Sequence, residues 1–245
     1  MVLRASAGSL ACVLASAMLT PGFAADLSIA PIYKAPPLPL TSWTGTYVGI
    51  SGGGAWGSAV VRNDFTGGDQ TPRFDLNGGI VGASAGTNVQ SGNLVLGVEG
   101  DISAASKKGS AFEFPPTGAF SNEVRERWLS TFRGRVGYAR DNWLFYVTGG
   151  GAAANVENSV TGPPGAMSET HWHWGWTAGG GVEVKVTQDW SAKVEYLYVG
   201  LQDKSYFTPV PAFPGNQSVR LDDHIVRVGV NYKLPWNVLD SFFKR

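Results

Sequence analysis

The charged residues of this chain that recur two apart are the ones that could do chemistry together, because that spacing in a strand puts both side chains on one face. Glu99 and Asp101 form one such pair, Arg133 and Arg135 a second, and Lys193 and Glu195 a third, with Glu183 and Arg227 expected on the same surface. Carboxylates and guanidiniums so placed can neutralise one another across neighbouring strands. They do not make a catalytic set: single His, Ser and Glu residues occur, but no nucleophile stands beside a base in a recognisable pattern. His171 and His173 have a spacing that could hold a metal, yet no carboxylate or third His is locally apparent, His224 being the only other histidine. Gly52-x-Gly54-x-x-Gly57 matches a dinucleotide fingerprint formally, but that motif must open a helix, and Val60-Val61-Arg62-Asn63-Asp64 follows instead. No cofactor and no metal is expected.

What must position these charges is a set of long strands. From His171 to Val186 the chain alternates, with Trp172, Trp174, Trp176, Ala178, Gly180, Val182, Val184 and Val186 on one face and His171, His173, Thr177, Glu183 and Lys185 among those on the other. Strands of soluble proteins usually run ~5–6 residues; one this long with an apolar, Trp-rich face is built to cross a bilayer. In 94–102 the apolar face Leu94, Leu96, Val98 and Ile102 alternates with Glu99 and Asp101, and in 128–138 Trp128, Phe132, Val136 and Tyr138 alternate with Arg133 and Arg135. If Leu94 opposes Arg140, Glu99 lies across from Arg135 and Asp101 across from Arg133; the turn at 187–189 likewise brings Glu183 near Lys193. The charges then face inward and the aromatic and aliphatic residues face lipid. The chain carries 33 glycines, many inside strands, which suits a small, tightly curved barrel.

The first residues fit that destination. Arg4, the uncharged run Ala5 to Leu19, the break at Pro21-Gly22 and the small residues of Gly22-Phe23-Ala24 read as a cleaved secretory signal over 1–24. Cys12 lies inside it, so the mature chain has no thiol for disulfides, catalysis or metal binding. Lys plus Arg and Asp plus Glu balance at 19 each, and losing Arg4 leaves a slightly acidic mature chain, so nothing points to nucleic acid. Mean hydropathy is −0.04, as alternating strands hide their apolar faces from averages.

Prolines punctuate the rest, since a residue without an N–H cannot serve a ladder. Between them lie short turn signals at Gln90-Ser91-Gly92-Asn93, Asp141-Asn142 and Thr187-Gln188-Asp189. Strands are expected at 43–58, 76–89, 94–106, 123–140, 143–157, 170–186, 190–206 and 219–234, with long external loops at 59–75, 107–122, 158–169 and 207–218. The expected fold is all-β, an eight-stranded antiparallel transmembrane β-barrel with short periplasmic turns and longer extracellular loops. Its divisions are the signal 1–24, a Pro-rich periplasmic segment 25–42, the barrel 43–234 and a periplasmic tail 235–245. Aromatic residues belong at both membrane interfaces. Trp43, Trp143, Trp190, Tyr138 and Tyr232 are placed at the periplasmic girdle, and Trp56, Trp128, Trp172 and Trp174 at the external one; Trp236 falls just past the last strand.

The order of motifs carries a resemblance. Ala24-Ala25-Asp26-Leu27, the Pro-rich stretch Pro31 to Pro39 and Trp43-Thr44-Gly45-Thr46-Tyr47-Val48-Gly49 open the chain. Arg133-Gly134-Arg135-Val136-Gly137-Tyr138, Trp143-Leu144-Phe145-Tyr146-Val147-Thr148-Gly149-Gly150, Lys193-Val194-Glu195-Tyr196-Leu197-Tyr198 and Val226-Arg227-Val228-Gly229-Val230-Asn231-Tyr232 follow. The chain resembles the small outer-membrane β-barrel family of RopB-like surface antigens, often called outer-membrane immunogenic proteins or porin-family proteins. The resemblance implies a barrel in the Gram-negative outer membrane, surface-exposed and contributing to envelope integrity. Such chains usually end on the aromatic of their last strand, an assembly signal, whereas this one continues, leaving Tyr232 and Phe243 as alternatives for that role.

The expected function is that of a non-enzymatic structural surface barrel, with outer-membrane lipid, lipopolysaccharide and the barrel-assembly machinery as partners and the external loop partner open. The alternatives are a small diffusion pore, a secreted lipocalin-like carrier and a lipid-modifying barrel enzyme. About eight strands enclose an interior just filled by side chains, while water channels need ~16–18.

Overall fold

In a computed structural model of the chain, which describes residues 42–63, 67–114, 120–163, 165–207 and 217–235, eight antiparallel strands close into one barrel. They are β1 (Gly45–Asn63), β2 (Phe74–Ser91), β3 (Leu94–Phe112), β4 (Ser121–Arg140), β5 (Trp143–Gly162), β6 (Gly165–Lys185), β7 (Trp190–Tyr206) and β8 (Gln217–Lys233). Each pairs with its sequence neighbour, and β1 pairs with β8 from Tyr47↔Lys233 to Asn63↔Gln217, so no edge is left open. Among the described residues no helix is long and apolar enough to cross a membrane; the crossing falls to strands, whose backbone groups closure satisfies. The signal segment 1–24, most of the Pro-rich segment, Trp236 and Phe243 lie outside the described residues.

The strands run from 17 residues in β7 and β8 to 21 in β6, about twice the ~9–11 a tilted crossing needs. On the outward face of β4, Tyr138 and Trp128 mark the two interfaces ten residues apart, and the strand then continues outward to Ser121. This corrects the expected loops. Residues expected in the loops 107–122 and 158–169 are largely ladder: β3 and β4 pair out to Phe112↔Ser121, and β5 and β6 out to Gly162↔Gly165, leaving only 163–164 between them. Alternation continues through these segments, with Asn122, Asn158 and Val160 buried, and a continued inward face sustains pairing beyond the membrane. The periplasmic turns are tight, with Gly92 at φ 59° and Asp141 at φ 53°, positions that suit Gly and Asp.

The expected hairpin register is also corrected. Leu94 opposes Tyr138, so Glu99 faces Arg133 and Asp101 faces Thr131. The slip is two residues, which preserves which side chains point inward. On the external side the ladder from Phe112↔Ser121 meets a bulge between Ala104 and Lys107, opposite Arg127 on β4, which moves the pairing by one residue. The bulge also reverses the inward parity of β4: Asn122, Val124 and Glu126 point inward before it and Leu129, Thr131, Arg133 and Arg135 after it.

Candidate functional site

The lumen is the chemically organised part of the molecule. Its lower storey holds Arg133, Arg135, Lys193 and Arg227 with Glu99, Asp101, Glu183 and Glu195, all buried, four cations against four carboxylates. A barrel of this size is narrow enough for long side chains to reach past their ladder neighbours. Arg133 on β4 donates to Glu99 Oε1 (2.6 Å) and Asp101 Oδ2 (2.8 Å) on β3 and across the lumen to Glu195 Oε1 on β7 (3.1 Å). Arg227 donates to Glu195 Oε2 at 2.8 Å and to both Asp101 oxygens at 3.2 Å. Lys193 and Glu183 are register neighbours, but they choose other partners: Lys193 Nζ donates to Glu99 Oε2 at 2.8 Å, and Arg135 pairs with Glu183.

Polar residues not anticipated from sequence complete the cluster. Tyr47 accepts from Arg135 Nη1 (3.0 Å) and donates to Glu99 Oε2 (2.8 Å), linking the two ion networks. Tyr146 donates to Glu195 Oε1 at 3.0 Å while its ring lies 4.0 Å under the Arg135 guanidinium. Thr131, Ser191 and Asn231 donate to Asp101 and Glu183. With so many acceptors filled, the desolvation that burying eight charges imposes is met by charge-assisted bonds. Tyr47, Tyr146 and Asn231 sit at inward positions of their strands, so strict application of parity was the signal available for them.

Above this cluster lies an apolar plug. Phe74, Leu76, Leu129, Val156, Leu197, Leu201 and Leu221 are among its buried members, and partly buried Ala105 and Met167 add contributions from β3 and β6. One ionic group interrupts it: Lys107 Nζ lies 2.6 Å from Glu126 Oε2 and 2.5 Å from Asp223 Oδ2, all three side chains fully buried. Lys107 and Glu126 escaped the sequence reading because 107–122 was read as loop and because the bulge reverses the parity at Glu126. A buried amide layer closes the external side, with Asn122 and Gln217 both donating to Glu113 Oε1 at 3.0 and 3.2 Å. At the periplasmic end Trp43 packs with Val95, Ala139, Leu144 and Tyr146.

Trp43 is therefore a correction to the expected girdle. It is 5% exposed, its backbone N–H donates to Gln90 Oε1 at 2.7 Å and Lys185 Nζ lies 5.1 Å from its ring. It precedes β1, so strand parity does not govern it, and it turns in to cap the lumen. Trp56, Trp128, Tyr138, Trp143, Trp172, Trp174 and Trp190 present exposed faces outward, and Tyr232 packs beside Trp190 with ring centroids 5.0 Å apart. His173 points inward, its ring nitrogens 3.0 Å from the Gln202 carbonyl and 2.7 Å from Tyr206 OH, and His171 Nε2 lies 2.8 Å from Glu169. Among the described residues no group of three or more His, Cys, Asp or Glu could hold a metal.

Eight strands in a closed ring with an ion-packed interior and an aromatic outer face describe a class of membrane protein, and comparison with known proteins decides the family. The family described as outer membrane protein beta-barrel domain matches residues 23–233. The chain belongs to this outer-membrane β-barrel family. Within it, the chain is 31% identical over 238 residues to the 31 kDa outer-membrane immunogenic protein of Brucella melitensis, covering 90% of this chain and 96% of that one. It is 32% identical over 200 residues to a 22 kDa outer membrane protein of Rhizobium leguminosarum, covering 82% of each. Among solved structures, OprG of Pseudomonas aeruginosa superposes with a TM-score of 0.50 at 12% identity, over 80% of this chain and 98% of that one. The outer membrane protease OmpT of Escherichia coli gives 0.50 at 11% identity, over 79% and 98%. At such identities the likeness is one of fold, and the protease chemistry of OmpT stays with OmpT. This family member is an outer-membrane β-barrel.

Proposed function

We propose that this barrel is a non-enzymatic structural element of the outer membrane, holding lipid and lipopolysaccharide around a closed lumen and presenting its external strands to the surroundings. The observation that carries the reading is the filled interior. Four cations and four carboxylates are tied to one another below, and an apolar plug with contributions from all eight strands lies above them. A solute crossing the lumen would have to separate buried ion pairs and then pass hydrocarbon, and each buried pair opened costs several kcal/mol. The cavity at the periplasmic mouth is about 30 Å³, room for about one water. The assembly machinery that inserts such barrels is the further partner this reading requires.

The test is a deletion strain. Loss of the protein should raise sensitivity to detergent and to large hydrophobic antibiotics, and the wild-type gene should restore resistance. Unchanged envelope sensitivity together with slower uptake of a small hydrophilic solute would favour the diffusion-pore alternative.

A further inference from the structure

One seam of the barrel differs from the rest of its outer surface. Along β1 and β8 the outward residues pair as Ile50↔Val230, Gly52↔Val228, Gly54↔Val226, Trp56↔His224, Ser58↔Asp222 and Val60↔Arg220. These six rungs run from hydrocarbon to the external interface, and their chemistry changes in that order. At the lower rungs the seam forms one end of an apolar groove of about 780 Å³ that runs across β7 and β6 to Trp143 of the periplasmic girdle, and at the seam end Ile50, Gly52, Val228 and Val230 meet Val194 and Val182. At the middle rung the rings of Trp56 and His224 stack at 6.2 Å with an interplanar angle of 13°, and Tyr196 OH lies 2.7 Å from His224 Nδ1.

Above the aromatic rung the seam becomes cationic. Arg62, Arg73 and Arg220 surround a recess of about 390 Å³ together with Asp69 and Asp222, leaving a net positive charge. Two of the arginines are held from one side only. Arg73 donates to Ser58 Oγ at 2.7 Å and Asp222 Oδ2 at 2.9 Å, and Arg62 donates to Asp69 Oδ1 at 3.1 Å, while both side chains stay well exposed. Arg220 is exposed and has no ion pair among the described residues. The acids thus act as struts that orient two guanidiniums, and the third is uncommitted. Arginine forks bind phosphate oxygens bidentately, and basic recesses at a membrane surface favour anionic headgroups.

From Gly52 to Val60 the strand climbs about 27 Å at ~3.4 Å per residue, or roughly 20 Å along the membrane normal at a tilt of ~40°. That vertical order of hydrocarbon groove, aromatic shelf and guanidinium recess is the order of parts in a phosphorylated, acylated sugar lipid standing in the outer leaflet. We propose that the β1–β8 seam is a binding site for one such glycolipid, with acyl chains in the Gly52–Val228 groove, sugar against the Trp56–His224 shelf and phosphate on Arg62, Arg73 and Arg220. The inference rests on the structural reading and deepens it by placing its glycolipid partner on one seam, and lipid retention is measured apart from conductance or envelope phenotype, so either can fail alone.

The test uses the refolded barrel in zwitterionic detergent, with bisphosphorylated lipid A, the same lipid after enzymatic dephosphorylation, and inorganic phosphate as separate probes in native mass spectrometry. Wild type should retain one lipid A per barrel, and dephosphorylated lipid at least tenfold less. Arg62→Ser/Arg220→Ser should cut retention about tenfold, and Gly52→Phe, which fills the groove from the outward side, should do so with every arginine intact. Heat-modifiable gel mobility confirms that each variant is folded. Equal retention of both lipid forms, or unchanged retention in both variants, would overturn the proposal. Full competition by millimolar inorganic phosphate would also overturn it, by showing that the recess serves a soluble anion.

Discussion

At the scale of single residues, the lumen shows how charges are kept in place inside a membrane protein. Each central arginine is shared among several acceptors, so removing one strands a specific carboxylate. Arg135 is bound to Glu183 rather than to Glu99, and the choice can be read in a double-mutant cycle. Arg135→Ala should destabilise the barrel by about 3–5 kcal/mol in denaturant unfolding. Adding Glu183→Gln should recover part of that loss, whereas adding Glu99→Gln should not, because losing the Glu99 carboxylate would leave Arg133 and Lys193 short of a charged acceptor. Equal rescue by both would mean that the two networks are one.

A second residue-scale prediction concerns the external overhang. Burial opposes ionisation of Glu169, but the Phe207 amide donating to Oε2 at 2.5 Å, together with His171, outweighs it and holds the carboxyl below the ordinary range. A depressed folded pKa means that the stabilisation is complete above the ~4.3 of an unfolded Glu and is lost as pH falls through the folded value. Phe207 holds a left-handed φ of 60°, and its amide donates to the Glu169 carboxylate. The Phe207 amide resonance should therefore titrate with a midpoint below ~4.3, and Glu169→Gln should accelerate its hydrogen exchange at neutral pH. A midpoint above that value would reverse the assignment.

At the scale of elements, strand curvature is bought with glycine on the inside. Gly150 is in register with Arg133, and a Cβ there would sit 2.0 Å from the Phe132 carbonyl oxygen and 2.7 Å from the Arg133 Cα. At the next residue, Gly151, an outward Cβ would meet nothing within 4 Å. Gly150→Ala should cost about 1–3 kcal/mol, while Gly151→Ala should be close to neutral, both measured by unfolding in lipid vesicles. Comparable losses would indicate that glycine serves backbone freedom here and not close approach. Much of the element plan was legible in the sequence, because period-2 alternation runs through the membrane-level part of the strands and fixes which of Glu99, Asp101, Arg133 and Arg135 point inward. What alternation cannot fix is register, since a two-residue slip leaves every face unchanged. Nor does it reveal a bulge, which is why Lys107 and Glu126 went unseen, or the orientation of a residue outside a strand, as with Trp43.

At the scale of the whole molecule, the storeys of the lumen act in series: the Trp43 cap, the ion cluster, the apolar plug and the amide layer each close the same axis. Variation at the external ends would reach the amide layer and the top of the plug, but not the ion cluster or the Trp43 cap, because the strands extend well beyond the aromatic girdle before any connection begins. The membrane-level barrel then supports a tall external rim. The most direct test of the closed interior is planar-bilayer recording of the refolded full-length barrel in symmetric salt. The account predicts a baseline without steady conductance in wild type, and no ion-selective current when the plug or the ion cluster is opened alone, for example by Leu129→Gly or by Arg133→Ala. A stable ohmic current through the wild-type protein, with an ion selectivity that changes when Glu99 or Arg133 is replaced, would contradict it and establish a water-filled path through the lumen.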